Sequence, residues 1–188
     1  MFPPANEDLD PEEAWSYDLT LSKRWLEVRL NTELSVFYTE GSNLIEVAVV
    51  EGRRSNRNVG AFKNKGVEFS ASWRALDNLI FNANYSFLDM GTILIGAPVH
   101  KAYVSGTWNL GKFSVNLGAM GIKDLYLTAG DNTRTSEYVD LKCRLSWKAT
   151  PWLTLFARGE NLLDSKYETM DGFPEPGVTA FGGLSISL

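Results

Sequence analysis

The sequence predicts an all-β protein: about nine antiparallel strands that form an up-and-down transmembrane β-barrel segment. Three observations predict it. Apolar and polar residues alternate with a period of two along most of the 188 residues. Tight turns alternate with longer connections, and tryptophans lie beside the tight turns. Membrane-spanning barrels show this combination, because only alternate residues face lipid and aromatic girdles lie at the two interfaces.

The clearest strand is the segment from Tyr138 to Trp147. One face of it carries Val139, Leu141, Cys143, Leu145 and Trp147, and the other carries Asp140, Lys142, Arg144 and Ser146. Successive residues of a strand point to opposite faces, so this segment has one apolar and one charged stripe. A soluble antiparallel sheet shows the same alternation. This strand alone therefore does not decide what covers its apolar face.

The same alternation predicts the other strands. In chain order they are expected at 15–22, 26–50 with a bulge at Gly41, 67–74, 79–87, 102–108, 113–119, 153–160 and 179–188. Tight turns are expected near 24, 77, 110 and 150, and mostly longer loops near 52, 93, 127 and 170. Residues 1–13 are rich in proline and acidic residues and are expected to form a loop.

Composition restricts the class of protein. The length suits one domain covering 1–188, and a net charge of -5 argues against a nucleic-acid partner. The mean hydropathy is -0.16, and no run reaches the about 18 to 20 apolar residues of a membrane-spanning helix. A barrel remains compatible with this value. The start lacks the features of a secretory signal, so if the protein is exported, we expect the chain to begin inside the mature protein.

Two features favour lipid on the apolar face. The opposite face carries Asn, Ser, Thr, Gly and mixed charges rather than an excess of Lys and Glu. In addition, Trp73, Trp108, Trp147 and Trp152 lie beside the tight turns, with Trp25 nearby, as an interfacial girdle requires. The alternative is a soluble β-sandwich with these tryptophans in its core.

The strand count indicates a partial barrel. An odd number of antiparallel strands leaves the first and last strands running in the same direction, whereas most bacterial single-chain barrels have even counts. We therefore expect part of a larger barrel, with two open edges that invite pairing with another chain or aggregation.

The final third of the chain carries a family resemblance. The run ARGENLLDSKYETMDGFPEPG (157–177), followed by an alternating terminal strand, resembles the end of TonB-dependent outer-membrane receptors, particularly the cobalamin and siderophore group. Three upstream segments fit the same template in the same order: 8–21, 64–73 and 97–108. The terminal Leu188 departs from the phenylalanine that usually ends the family, so weaker insertion by the barrel-assembly machinery is expected.

The resemblance implies a barrel of about 22 strands, closed by a separate N-terminal plug domain, in the outer membrane of a Gram-negative bacterium. Such receptors import a scarce ligand, such as a ferric siderophore or cobalamin, with energy passed through TonB. Nothing in 1–188 matches the plug, so we expect the C-terminal part of the barrel. The implied partners are membrane lipid and lipopolysaccharide, the missing strands and plug, the TonB complex and the transported ligand.

The candidate ligand-binding residues are Arg53, Arg54 and Arg57, in a predicted extracellular loop at 52–58. Their charges would attract an anionic ferric chelate. They would equally suit lipopolysaccharide phosphates or a simply solvated loop. The lumen-facing charges are expected to pair with each other or with the plug: Glu68, Arg74, Asp140, Lys142, Arg144, Arg158 and Glu160.

No enzyme, metal site or cofactor is predicted. His100 is the only histidine, and the chain offers no plausible Ser, His and acid set for an outer-membrane hydrolase. Asn161 and Asp164 suit side chains that bond the backbone at the start of a loop. The alternative to a receptor is a stand-alone or oligomerising small barrel with a structural or interaction role.

Overall fold

The computed structural model describes the backbone of residues 6, 8–50 and 53–187, and their side chains except those of 46–50, 53, 54 and 59. Nine strands form one antiparallel sheet: β1 (Glu13–Trp25), β2 (Leu30–Val50), β3 (Arg53–Leu76), β4 (Leu79–Met90), β5 (Pro98–Leu110), β6 (Phe113–Tyr126), β7 (Thr135–Lys148), β8 (Leu153–Glu160) and β11 (Thr179–Ile186). The short strands β9 (Glu168–Met170) and β10 (Phe173–Pro174) pair with each other between β8 and β11. The predicted all-β, antiparallel class is confirmed.

Each strand of the sheet pairs with its neighbour in sequence, and β8 pairs with β11. The ladder runs from β1 to β11 without closing, so both of these strands are edges within the described ranges. One 3-10 turn, Leu26–Val28, is the only helical segment in the described part of the chain. None of the described helical residues forms a span long and apolar enough to cross a membrane.

The connections define two ends of the sheet. The short-turn end contains residues 26–29, 77–78, 111–112 and 149–152, and the long-connection end contains 91–97, 127–134 and 161–178. The predicted turn at 23–25 is wrong, because β1 continues to Trp25, which pairs with Leu30. Leu26 and Val28 therefore lie in the turn rather than in the apolar stripe. Arg29, with a φ of 54°, ends that turn.

The predicted loop at 52–58 is also wrong from Arg53 onward. Arg53 already pairs with Val50, and Arg57 pairs with Glu46, so these residues belong to a long β2–β3 hairpin. The backbone hydrogen bonds between paired strands require no particular side chains. A strand with water on both faces therefore needs no alternation of apolar and polar residues. The predicted bulge is confirmed by a register shift between Gly41 and Leu44.

No second sheet covers the apolar face in the described part of the chain, where the only other sheet is β9–β10. Val104 is 54% exposed and Leu145 is 53% exposed although each lies within a strand of the central sheet. The buried apolar residues are instead Ile122, Leu125 and Leu127, at the long-connection end. The soluble sandwich is therefore contradicted.

Aromatic residues lie along the short-turn end of the sheet. Trp73 stacks on Phe81 with ring centroids 5.8 Å apart, and Phe113 stacks on Trp147 at 6.2 Å. The Trp73 indole N–H donates to the Val28 carbonyl over 3.0 Å. The Trp73 ring thus has its apolar body beside the sheet and its polar N–H bonded at the turn, which is the arrangement of a tryptophan in an interfacial girdle.

Gly66 is a point of close approach on the polar face. A Cβ there would lie 2.5 Å from Phe37 Cζ and would also meet the Phe87 carbonyl oxygen. Gly66→Ala is expected to lower the free energy of unfolding by about 1 to 2 kcal/mol through overpacking, measured by urea unfolding in detergent. Gly60→Ala is the matched control, since nothing lies within 4 Å of that position. Equal unfolding midpoints for the two variants would contradict the packing argument.

Candidate functional site

The polar face of β7 and β8 carries a charged cluster, defined here as Asp140, Lys142, Arg144, Arg158 and Glu160. Lys142 Nζ lies 3.0 Å from Asp140 Oδ2 and 3.9 Å from Glu160 Oε1, and Arg158 lies 3.3 Å from Glu160. These contacts confirm the expected mutual pairing for four of the five residues. The cluster lines a depression of about 410 Å³.

Arg144 is held differently from the rest of the charged cluster. No carboxylate among the described side chains lies within 4.0 Å of it. Its guanidinium carbon instead lies 3.7 Å from the centre of the Phe156 ring. Glu68 and Arg74, the other lumen-facing charges predicted from the sequence, are exposed and form no ion pair within the described ranges.

Asn161 anchors the connection that follows β8. It is 4% exposed and adopts a φ of 48°, a left-handed conformation that asparagine tolerates. Its side-chain amide donates to the carbonyls of Ser165 and Pro176 over 3.0 and 2.9 Å and accepts from the Ser165 N–H over 2.9 Å. Its own N–H donates to Asp140 Oδ1. The predicted backbone-bonding role is therefore confirmed for Asn161.

Asp164 lies in the same connection and also has a positive φ, of 51°. Its carboxylate accepts hydrogen bonds from Lys166 Nζ over 2.9 and 3.0 Å. The hydrogen bond and charge of Lys166 hold the pKa of Asp164 below its ordinary value. This carboxylate therefore stays ionised and acts as a loop-stabilising partner of Lys166, which the sequence prediction had not identified.

A second link joins two connections at the long-connection end. Arg134 forms ion pairs with Asp171 and with Glu168, the latter over 3.4 Å. Glu168 also accepts the Gly172 N–H over 3.1 Å. Residues 127–134 are thereby joined to the β9–β10 hairpin. No sequence signal for this link exists beyond the residue charges, since the partners come from separate connections.

Tyr167 packs over β7 at the same end. Its ring stacks on that of Tyr138 with centroids 3.7 Å apart. Burial, followed by the nearby Asp140 carboxylate, raises the pKa of Tyr167 to about 12. Because the pKa is higher in the folded state, the unfolded chain loses this proton first as the pH rises.

The stability contributed by protonated Tyr167 is expected to be complete below about pH 10. It should be lost as the pH rises through about 12. The difference in tyrosinate absorbance between wild type and Tyr167→Phe should show one group ionising near pH 12. A difference spectrum with its midpoint near the ordinary value of about 10 would contradict this environment.

The predicted ligand-binding arginines lie on the β2–β3 hairpin. Arg57 is exposed, and the backbones of Arg53 and Arg54 pair with Val50 and Val49. An acidic segment runs beside the outer part of this hairpin, where the Asp10 backbone exchanges two 2.9 Å hydrogen bonds with the Asn58 side chain. A ligand role for the three arginines stays a prediction.

His100 lies near the start of β5. Its Nδ1 is 2.9 Å from the Tyr85 hydroxyl, and its ring centroid is 5.2 Å from that of Phe87. It pairs with Phe87 and Lys123 in the sheet and lies on the same face of β5 as the apolar residues. Within the described ranges, no group of three His, Cys, Asp or Glu residues is placed to hold a metal ion.

Comparisons with known proteins agree on one family. Residues 1–162 match the family described as TonB dependent receptor-like, beta-barrel. An "Uncharacterized TonB-dependent receptor" of Haemophilus influenzae is 28% identical over 148 residues, which cover 71% of this chain and 42% of the relative. The chain thus spans less than half of that relative's length.

Three solved structures share the fold. The siderophore receptor PiuA from Acinetobacter baumannii has a TM-score of 0.78 and 22% identity, covering 95% of this chain and 29% of PiuA. The FrpB iron transporter from Neisseria meningitidis has a TM-score of 0.79 and 14% identity, covering 96% and 32%. The copper transporter OprC has a TM-score of 0.77 and 18% identity, covering 99% and 33%.

Proposed function

We propose, because this chain belongs to the TonB-dependent receptor β-barrel family, that it forms part of the wall of an outer-membrane import receptor in a Gram-negative bacterium. The family consists of receptors and transporters rather than enzymes. The observation that carries the proposal is the open nine-stranded sheet, whose apolar face no other described element covers and whose polar face holds paired charges. Membrane lipid suits the apolar face, and a hydrated lumen suits the polar face.

We propose that the partners contact different surfaces of the sheet. Bacterial outer-membrane barrels have short periplasmic turns and longer extracellular loops, so the short-turn end lies toward the periplasm. Lipid and lipopolysaccharide then contact the apolar face, and the plug contacts the polar face. The remaining strands pair with β1 and β11, and TonB reaches the receptor through a region outside residues 1–188.

The transported ligand is proposed to be a ferric siderophore, with cobalamin as the second choice. The name of PiuA as a siderophore receptor supports the first choice. The β2–β3 hairpin projects from the long-connection end and carries Arg53, Arg54 and Arg57. Clustered positive charge raises the local concentration of an anionic chelate, so we propose that these residues meet the ligand first.

Uptake of labelled ligand by whole cells tests the proposal. Cells expressing the intact receptor should accumulate a labelled ferric siderophore or labelled cobalamin, and cells lacking the receptor or TonB should not. Receptor-dependent uptake of either ligand that continues without TonB would contradict an energised receptor. Binding of neither ligand by the purified receptor would contradict the proposed ligand classes.

A stand-alone or oligomerising small barrel is the second candidate, favoured by the two open edges of the sheet. β1 and β11 each lack a neighbour on one side in the described part of the chain, and unpaired edges promote association between chains. Native mass spectrometry of the 188-residue chain in detergent distinguishes the candidates. A defined oligomer favours the small barrel, whereas heterogeneous aggregation favours a segment that needs the remaining strands.

A further inference from the structure

A groove of about 880 Å³ lies on the apolar face of β3 to β6. Its lining includes four small residues, at Ala71, Ala83, Gly106 and Ala119. Gly106 lies between Phe81 and Leu117 in the ladder, so the surface is deepened where a side chain is missing between two large ones. The volume falls in the range of about 300 to 1,000 Å³ that is common for small-molecule sites.

The place of the groove in the sheet limits what fills it. β3, β4, β5 and β6 each have a neighbouring strand on both sides, so strands added at the open edges of β1 and β11 would not reach the groove. In the proposed barrel, a domain that closes the lumen lies on the opposite face. The occupant of the groove therefore comes from the membrane around the barrel.

The groove occupies one half of the apolar face. It extends from Trp73 and Trp108, near the short-turn end, to Val104, the middle residue of β5. Val104 and Trp108 are four residues apart, or about 13 Å at 3.3 Å per residue. One leaflet contributes about 15 Å to a hydrocarbon core of about 30 Å. The groove therefore lies within a single leaflet, and its tryptophan end lies at the interface that such residues mark.

A cation lies beyond the interfacial end of the groove. Lys112 is exposed in the turn of the β5–β6 hairpin, and the Trp108–Val115 pair of that hairpin lines the groove. Lys112 forms no ion pair among the described side chains, whereas Arg29, in the turn after β1, is paired with Asp77. A lysine extends its apolar stem along nonpolar surface and keeps its ammonium at the interface, which is the depth of lipid phosphates.

We propose that this groove holds one acyl chain of an anionic phospholipid of the periplasmic leaflet, with Lys112 at the lipid phosphate. The inference rests on the proposed receptor function, because that function places the short-turn end at the periplasm. Lipid tails are as apolar as leucine side chains, so packing distinguishes this lipid from its neighbours. Atoms that line an unfilled groove lose dispersion contacts, and a lysine near the surface attracts an anionic headgroup.

The test is native mass spectrometry of the intact receptor, extracted in detergent and titrated with phosphatidylglycerol. The double variant Ala83→Leu and Ala119→Leu fills the groove with apolar side chains and should retain severalfold less phosphatidylglycerol than wild type. Ala157→Leu is the matched control and should retain as much as wild type. Ala157 lies in the same row of the apolar face as Trp108 but outside the groove.

A second variant tests the headgroup contact. Lys112→Gln leaves the groove open and removes the cation, so its affinity for phosphatidylglycerol should fall about fivefold, the effect of one basic residue near a membrane surface. Lys148→Gln is the control at a neighbouring turn, since Lys148 belongs to the polar face of β7. It should bind phosphatidylglycerol like wild type. Equal binding by Lys112→Gln and wild type would contradict the phosphate contact.

The wild type alone also tests the site, which avoids dependence on variants that fail to assemble. Its first phosphatidylglycerol should bind more tightly than those that follow, and a series of equally weak binding steps overturns the site. Equal retention by the groove-filling variant and Ala157→Leu also overturns it. Loss of lipopolysaccharide instead of phosphatidylglycerol, or dissociation of a receptor dimer when the groove is filled, assigns the groove to another occupant and overturns the proposal.

Uptake by cells separates failure of this site from failure of the proposed function. A wild-type receptor that imports its ligand only with TonB but shows no tightly held phosphatidylglycerol contradicts the lipid site alone. Receptor-dependent uptake that continues without TonB contradicts the proposed function instead, whichever lipid the groove holds.

Discussion

Replacing Val104 with arginine is expected to prevent the barrel from accumulating in its folded form in the outer membrane. Val104 is the middle residue of β5 and is 54% exposed on the apolar face. An arginine on the lipid face at the bilayer midplane costs about 2 to 4 kcal/mol. The folded fraction in isolated outer membranes, measured by heat-modifiable mobility in gel electrophoresis, should fall severalfold.

Asn84→Arg is the matched control for Val104→Arg. Asn84 lies at nearly the same depth in the neighbouring strand, pairs with Tyr103, and belongs to the polar face. Its arginine variant should assemble because the new charge enters a hydrated lumen. Equal assembly of the two variants, or a larger defect for Asn84→Arg, would mean that lipid does not contact the apolar face.

Asn161→Ala is expected to destabilise the connection between β8 and β11 by about 3 kcal/mol, since it removes three side-chain hydrogen bonds of about 1 kcal/mol each. The alanine also has to adopt the φ of 48° that Asn161 adopts. Limited proteolysis should then cut within 161–178 much faster, and the urea midpoint of unfolding should fall.

Two further variants separate the causes of the Asn161 effect. Asn161→Gly tolerates the positive φ but lacks the hydrogen bonds, so it should retain most of the defect. Leu163→Ala, at a position that is 56% exposed, should change little. Wild-type proteolysis of Asn161→Gly would show that backbone conformation, rather than the amide hydrogen bonds, stabilises the connection.

The strands of the central sheet were predictable because only one of their faces is apolar. Tyr138–Trp147 lies entirely within β7, and the tight turn expected near 77 separates β3 from β4. The outer part of the β2–β3 hairpin was not predictable in the same way. Arg53–Asn58 carries no alternation of apolar and polar residues and reads as a loop, although its backbone completes a ladder with β2.

The candidate site was predictable where it depends on local chemistry. Asn161 at the start of a connection suggested backbone bonding, and Lys142 beside Asp140 and Glu160 suggested mutual pairing. Arg134 binds Glu168 and Asp171, which are 34 and 37 positions away in the sequence. These residues come together only because two long connections fold against each other. The facing of Arg144 and Arg158 depends on the exact register of β7 and β8, which a turn predicted only near 150 does not fix.

Accessibility at Cys143, the single cysteine of the chain, tests the central claim most directly. Cys143 shares the apolar face of β7 with Leu141 and Leu145, so a nitroxide attached to it should face hydrocarbon. In the intact receptor reconstituted in bilayers, with other cysteines replaced by serine, electron paramagnetic resonance should show frequent collisions with oxygen and few with a water-soluble nickel chelate. A label at Ser146→Cys in a Cys143→Ser background should show the reverse. Preferential collision of the Cys143 label with the nickel chelate would contradict a lipid-facing apolar surface.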